Sequence, residues 1–251
     1  MRALLFVVLF SLANLTLAEQ VYTAVSPPYR AAMLELYTSE GCSSCPPADR
    51  FVSKLKDSQL SDQHLVPLAF HVTYWDYIGW RDPFGNPQYD DRQHKQALLN
   101  ASKTVYTPQF MMNGKDFRRY RHLHTDIARI NAQTAAVSLV ITARPELDRL
   151  AVNVNVEHMH GFNGDTVVYI ALYEHNLGSA VTAGENEGEQ LRHDYVVRKL
   201  AGPFHARQFP YAISSELRIE NNWKLENMGV VAFAQKPMSS EVLQAVNLNL
   251  R

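Results

Sequence analysis

The chain has two cysteines among its 251 residues, and they stand together in Gly41-Cys42-Ser43-Ser44-Cys45-Pro46-Pro47. A bridge over two intervening residues barely constrains the unfolded chain, so the pair is badly placed as a staple and well placed for chemistry. Ahead of it, Met33 to Thr38 reads as a short apolar strand. Behind it, Ala48, Phe51, Val52 and Leu55 recur at helical spacing and predict a helix from Ser43 to about Lys56. A cysteine at a helix start faces unpaired N–H groups and the positive end of the macrodipole, both of which favour thiolate over thiol. Cysteines so placed titrate at about 3.5–7.5, against about 8.5 for a free thiol. Cys42, nearest the helix end, is expected to be the accessible attacking sulfur, and Cys45 the shielded resolving one. Pro46 and Pro47 suit the first helical turn, where a missing N–H had no intrahelical partner. Cys-x-x-Cys is also half of a zinc site, but a structural zinc takes four ligands and no second such pair follows. Thiol–disulfide exchange is therefore the first reading, with no metal and no cofactor assigned.

Other residues attach to that centre with less specificity. His71 ends a second apolar strand, Leu65 to Val72, and Tyr74, Trp75, Asp76 and Trp80 follow it. In open α/β sheets the ligand crevice lies beyond the carboxyl ends of parallel strands, so Trp75 and Trp80 are candidates for a substrate-docking wall, or else cap the core under a long loop. His71 is a candidate to tune the thiolate, though it reads first as a satisfied structural histidine, and Glu40 is a modulator expected to be exposed. His158 and His160, with His175 and His193, would need convergent geometry to make a copper or zinc site, and read first as surface residues. Met111-Met112 reads as core. Asn100-Ala101-Ser102 fits a glycosylation acceptor, but its helical setting argues against use.

The elements that must position these groups change character along the chain. Met1-Arg2, the apolar run Ala3 to Leu12 and the small residues of Thr16-Leu17-Ala18 form a secretory signal, with cleavage expected after Ala18. Its loss takes Arg2 and shifts the formal charge from −1 to −2. No later stretch is apolar enough for a span. A charged fraction of 20% and a hydrophobic fraction of 46% exclude a disordered tail, and the near-neutral balance leaves no basic footprint for nucleic acid. Residues 19–135 alternate strand and helix: after Leu65 to Val72, a helix from Asn86-Pro87 to about Lys103, a hairpin from Phe110 to Arg119 turning at Asn113-Gly114, and a helix marked by Leu123, Ile127 and Ile130. Residues 136–251 show short strands at 137–142, 150–157, 166–174, 195–200, 229–234 and 242–248, punctuated by Arg144-Pro145, Gly184 and Gly202-Pro203. The expected architecture is an α/β first domain and an all-β, sandwich-like second domain, with the boundary near 134–137.

A strand leading into Cys-x-x-Cys at a helix start, with Thr107-Pro108 heading a later strand, resembles the thioredoxin fold. That resemblance implies that Pro108 is a cis-proline facing the cysteines and that Thr107 presents backbone to substrate. Further segments narrow it: Glu35 to Asp49, His71 to Tyr77, Gly79 to Phe84, Val105 to Gln109, Ala183 to Asn186 and Leu191 to Arg198 closely resemble a secreted bacterial family known as a thioredoxin-like domain of unknown function, number 1223. Two positions depart from thioredoxin itself. Leu36 stands where its buried aspartate would be, with Glu35 on the other strand face, and Gly41 replaces the tryptophan before the first cysteine.

The expected function is an exported, periplasmic thiol–disulfide oxidoreductase acting on a protein or small thiol/disulfide substrate. Two other readings stay open: a Cu(I)-handling protein using both thiolates with His71 or a methionine, and a non-enzymatic binding module with a passive disulfide.

Overall fold

The computed structural model describes residues 20–58, 60 and 62–251. The expected signal segment and its cleavage site lie outside the described residues. The chain runs β1 (Tyr22–Val25), β2 (Ala32–Thr38), α1 (Pro46–Leu55), β3 (Leu65–His71), α2 (Pro87–Leu99), β4 (Gln109–Met112), β5 (Lys115–Asp116) and α3 (Leu123–Asn131). It continues through β6 (Val137–Glu146), β7 (Arg149–His158), β8 (Thr166–Glu174), β9 (Leu177–Ala180), β10 (Gln190–His193), β11 (Val196–Ala206), β12 (Tyr211–Arg218), β13 (Met228–Gln235) and β14 (Val242–Asn249). The architecture is mostly β. Eight strands form a mixed sheet in the order β14-β13-β8-β11-β3-β2-β4-β5, four form an antiparallel sheet in the order β1-β6-β7-β12, and β9 pairs with β10 alone. No described helix is long and apolar enough to cross a membrane.

Burial explains the strand patterns. All nine residues of β8 are buried, as a near-continuous apolar run requires when both sheet faces are covered. Its Val167, Tyr169, Ala171 and Tyr173 join the core that also holds Leu36, Phe70, Val52 and Ile127. Its Val168, Ile170 and Leu172 face Leu139, Ile141, Val152 and Val154 of the smaller sheet. β6 and β7 alternate because they form an outer layer. Between α2 and the large sheet, the buried Arg92 guanidinium is 2.7 Å from Glu35 and lies 4.9 Å from the ring centroids of both Tyr169 and Phe233.

The expected boundary near 134–137 does not separate two sheets. β8, β11, β13 and β14 extend the sheet begun by β2 and β3, and the seam is parallel pairing of Val196 with Ala69. Period reveals which face of a strand is buried, but not which strand lies beside it. Local punctuation also differed. α1 begins at Pro46 with Cys45 as its N-cap, three residues later than expected at Ser43. α2 ends at Leu99 rather than Lys103 because the Asn100 side chain donates to the carbonyls of Gln96 and Gly114, 2.8 Å from each. That amide nitrogen is the atom a glycan would need. Gly202-Pro203, expected as a turn, lies inside β11 at a shift of register between Ala201 and Phe204. β1, β9, β10 and β12 were not anticipated, although Tyr211, Ile213 and Leu217 alternate along β12.

Candidate active site at the Cys42–Cys45 turn

β2 and β3 run parallel and end level, Thr38 opposite His71. The chain leaves β2 through Ser39 and Glu40, and the turn is closed by N–H donation from Cys42 to the Ser39 carbonyl (3.1 Å) and from Cys45 to the Cys42 carbonyl (3.1 Å). The Cys45 carbonyl then accepts the first helical bonds of α1, from Ala48 at 2.8 Å and Asp49 at 3.1 Å. Both prolines occupy the first turn, where no N–H is required. Gly41 has a packing reason: a Cβ there would stand 3.0 Å from the Trp75 Cβ, tighter than ordinary contact.

The two thiols are electrostatically unlike. Cys42 is lowered to about 6, chiefly by the hydrogen bond from Cys45, against opposing burial and with further help from Ser44 and Thr107. The Ser44 hydroxyl is 3.3 Å from the Cys42 sulfur. Burial, then the neighbouring Cys42, pushes Cys45 far above the ordinary thiol range. The Thr107 side chain favours the thiolate form of both cysteines, and its hydroxyl accepts from the Trp75 indole at 2.6 Å. The Thr107–Pro108 peptide is cis. Pro108 lines an apolar cavity of about 640 Å³ beside Ser44 and Ala48, walled by Phe51, Phe110, Phe117 and Tyr120.

Two expectations fail on burial. Cys42 is 1% exposed rather than accessible. The segment between β9 and β10 covers it: the Asn186 side chain donates to the carbonyls of Glu40 (2.7 Å) and Cys42 (3.1 Å), and Glu185 accepts from the Ser43 N–H (3.0 Å). Glu40 is likewise 1% exposed, because its carboxyl group is held by the Trp80 indole and by His193 Nε2, each at 2.9 Å. Trp80 therefore braces Glu40, while Trp75 stands at the cysteines.

His71 is only half satisfied. Its Nδ1 pairs with Asp82 at 2.8 Å, whereas Nε2 is buried without a hydrogen-bond partner among the described residues. Burial pulls its pKa down and the Asp82 carboxylate more than reverses this, so the net direction is upward. The four histidines considered as a copper or zinc set do not converge. His158 stacks on Phe209, His175 pairs with Asp194 at 3.2 Å, and His193 joins Glu40. Met111 and Met112 are core. Leu36 is also core, and Glu35 is committed to Arg92 and Gln96. Asp49, Asp82, Asn186 and His193 escaped sequence reasoning as parts of this site, although all four fall inside the segments that carry the family resemblance.

The comparisons with known proteins bear on the whole chain. The model of the family described as "Protein of unknown function (DUF1223)" matches residues 33–235. The chain belongs to the DUF1223 family. No curated protein matches it. Among solved structures, this DUF1223 chain resembles protein AGR_C_4864 from Agrobacterium tumefaciens at 22% identity, covering 90% of this chain and 97% of that one with a TM-score of 0.64. It also resembles HBP35 of Porphyromonas gingivalis at 13% identity, covering 89% and 76% respectively, with a TM-score of 0.66. Likeness at these identities shows a shared fold.

Proposed function

We propose that this DUF1223 protein is an exported thiol–disulfide oxidoreductase whose first half is thioredoxin-like. The observation that carries the reading is the unequal pair of sulfurs at the α1 start, Cys42 lowered to about 6 and Cys45 held protonated, beside the cis Thr107–Pro108 peptide. In the reducing direction the Cys42 thiolate attacks one sulfur of a substrate disulfide. A Cys42–substrate disulfide forms and the other substrate sulfur leaves as thiolate. Cys45 then gives its proton to that thiolate and attacks the Cys42 sulfur, closing the Cys42–Cys45 disulfide and releasing the second substrate sulfur as a thiolate that takes its proton from solvent. Two electrons pass from protein to substrate, and the reverse sequence oxidises a dithiol. Thr107 and Pro108 flank the incoming chain, and the cavity beside Ser44 takes an apolar side chain of the substrate.

The test exploits the asymmetry. Cys45→Ser removes the internal exit from the mixed disulfide, so exported partners should accumulate on Cys42 and separate on non-reducing electrophoresis, while Cys42→Ser should trap none. Adducts on neither variant would favour a passive disulfide. Equal copper loss from both variants without adducts would favour Cu(I) handling.

A further inference from the structure

Behind the cysteine turn lies a second cluster that the exchange reaction does not use. Asp49, one helical turn beyond Cys45, is 5% exposed, His71 is 0% and His193 is 2%. One donor atom from each lies within 4.8 Å of the others. The topology explains the meeting. β10, which ends at His193, packs against α1, and the His193 ring meets the ring of His71 at the end of β3 edge to face, with centroids 4.9 Å apart.

The ring nitrogens decide what the cluster is for. His71 Nδ1 faces Asp82 at 2.8 Å and His193 Nε2 faces Glu40 at 2.9 Å. A carboxylate only accepts, so each of these nitrogens carries a proton, and the opposite nitrogen is the one that would ligate, giving up any proton of its own on metal binding. Those opposite nitrogens, His71 Nε2 and His193 Nδ1, are both buried without a hydrogen-bond partner among the described residues. His193 Nδ1 is 3.9 Å from Asp49 Oδ2, too far for a hydrogen bond. Two imidazoles, each with one unpartnered buried nitrogen and each oriented by a carboxyl group behind it, thus meet beside the Asp49 carboxylate. This is the outer arrangement by which proteins fix histidine ligands of a metal. Phe84 walls the cluster, its ring centroid 5.3 Å from His71 and 5.7 Å from His193.

The geometry points to a site for a divalent transition-metal ion of the zinc class, held by Asp49 Oδ2, His71 Nε2 and His193 Nδ1. Two imidazoles and one carboxylate suit such an ion, and three protein ligands leave one position for water. Tetrahedral ligation at zinc–nitrogen distances of about 2.0–2.1 Å sets ligand atoms about 3.3 Å apart, so the side chains close slightly on the ion. The ion ties α1, the end of β3 and the β9–β10 hairpin into one unit, and so holds the covering segment over Cys42.

The test removes the thiolates as rival ligands. The full chain carrying Cys42→Ser and Cys45→Ser, stripped by chelator dialysis, is titrated with cobalt(II) near neutral pH. One equivalent should bind with visible d–d absorption and no sulfur charge-transfer band, and zinc should displace it. In the same background His193→Gln should abolish the absorption, and the near-isosteric Asp49→Asn should weaken binding by about tenfold or more. Zinc should raise the melting temperature of the parent more than that of the Asp49 variant, which keeps the test valid if the histidine variant folds poorly. Absorption unchanged in both ligand variants overturns the proposal. So does cobalt bound only by the wild-type chain with a sulfur band, which places the metal on the cysteines.

Discussion

Reactivity in this site is set by hydrogen bonds to one sulfur atom. Cys42 carries its thiolate above about pH 6 and loses it as pH falls through that value, because the stabilising donors, Cys45 first, favour the charged form. Alkylation of the reduced protein followed by mass spectrometry should therefore show a Cys42 rate with a midpoint near pH 6, while Cys45 stays unlabelled at neutral pH. Thr107→Val removes one donor and should move that midpoint up by about 0.5–1 unit, the equivalent of a hydrogen bond of about 1 kcal/mol. An unchanged midpoint would mean that Thr107 holds Trp75 without acting on the sulfur. Much of this scale was legible in the sequence, since the spacing of Cys42 and Cys45, the helix pattern after them and the prolines at the first turn are local signals. The burial of Glu40 was not, because its partners Trp80 and His193 lie 40 and 153 residues away.

At the level of elements, a strand–helix start supplies the thiolate and a distant hairpin covers it. One amide of Asn186 reaches the buried carbonyls of Glu40 and Cys42, the latter also accepting from the Cys45 N–H. Asn186→Ala removes the donor to both, leaving the Cys42 carbonyl only its bond from Cys45, and should cost about 1–3 kcal/mol in denaturant unfolding. The same change should speed Cys42 alkylation several-fold at fixed pH by opening the cover; slower or equal labelling would show that access runs elsewhere, past Pro108. The sequence marked the strands well where burial alternates or runs continuously, as in β6 and β8. It misled where a familiar turn signal, Gly202-Pro203, served instead as an irregularity within β11.

Across the whole molecule, the large sheet draws four strands from residues 32–116 and four from residues 166–249, so the two halves share one core. Arg92 on α2 bonds Gln235 of β13, and the Arg30 side chain bonds the Val242 carbonyl of β14. A fragment of residues 20–135 would expose the edge of β3 and strip Tyr169, Phe233 and Val231 from the core under the helices. It should show no cooperative thermal transition by circular dichroism, whereas the full chain should unfold in one step. A sharp transition in the fragment would restore the expected domain boundary. That boundary was read from a real change in periodicity near residue 135, but periodicity is a property of one strand and sheet membership is a property of two.

The covering contact also has a direction in time. Asn186 follows Cys42 by 144 residues. At about 5–20 residues per second of synthesis, that separation leaves the cysteine turn ahead of its cover for roughly 7–30 seconds. During that interval the first helix can start, but β11 and the hairpin that bonds the backbone of the cysteine turn do not yet exist. The nascent chain therefore carries an unguarded dithiol that the finished protein hides. The redox state in which this protein is born is set by the surroundings of the growing chain before it is set by the fold.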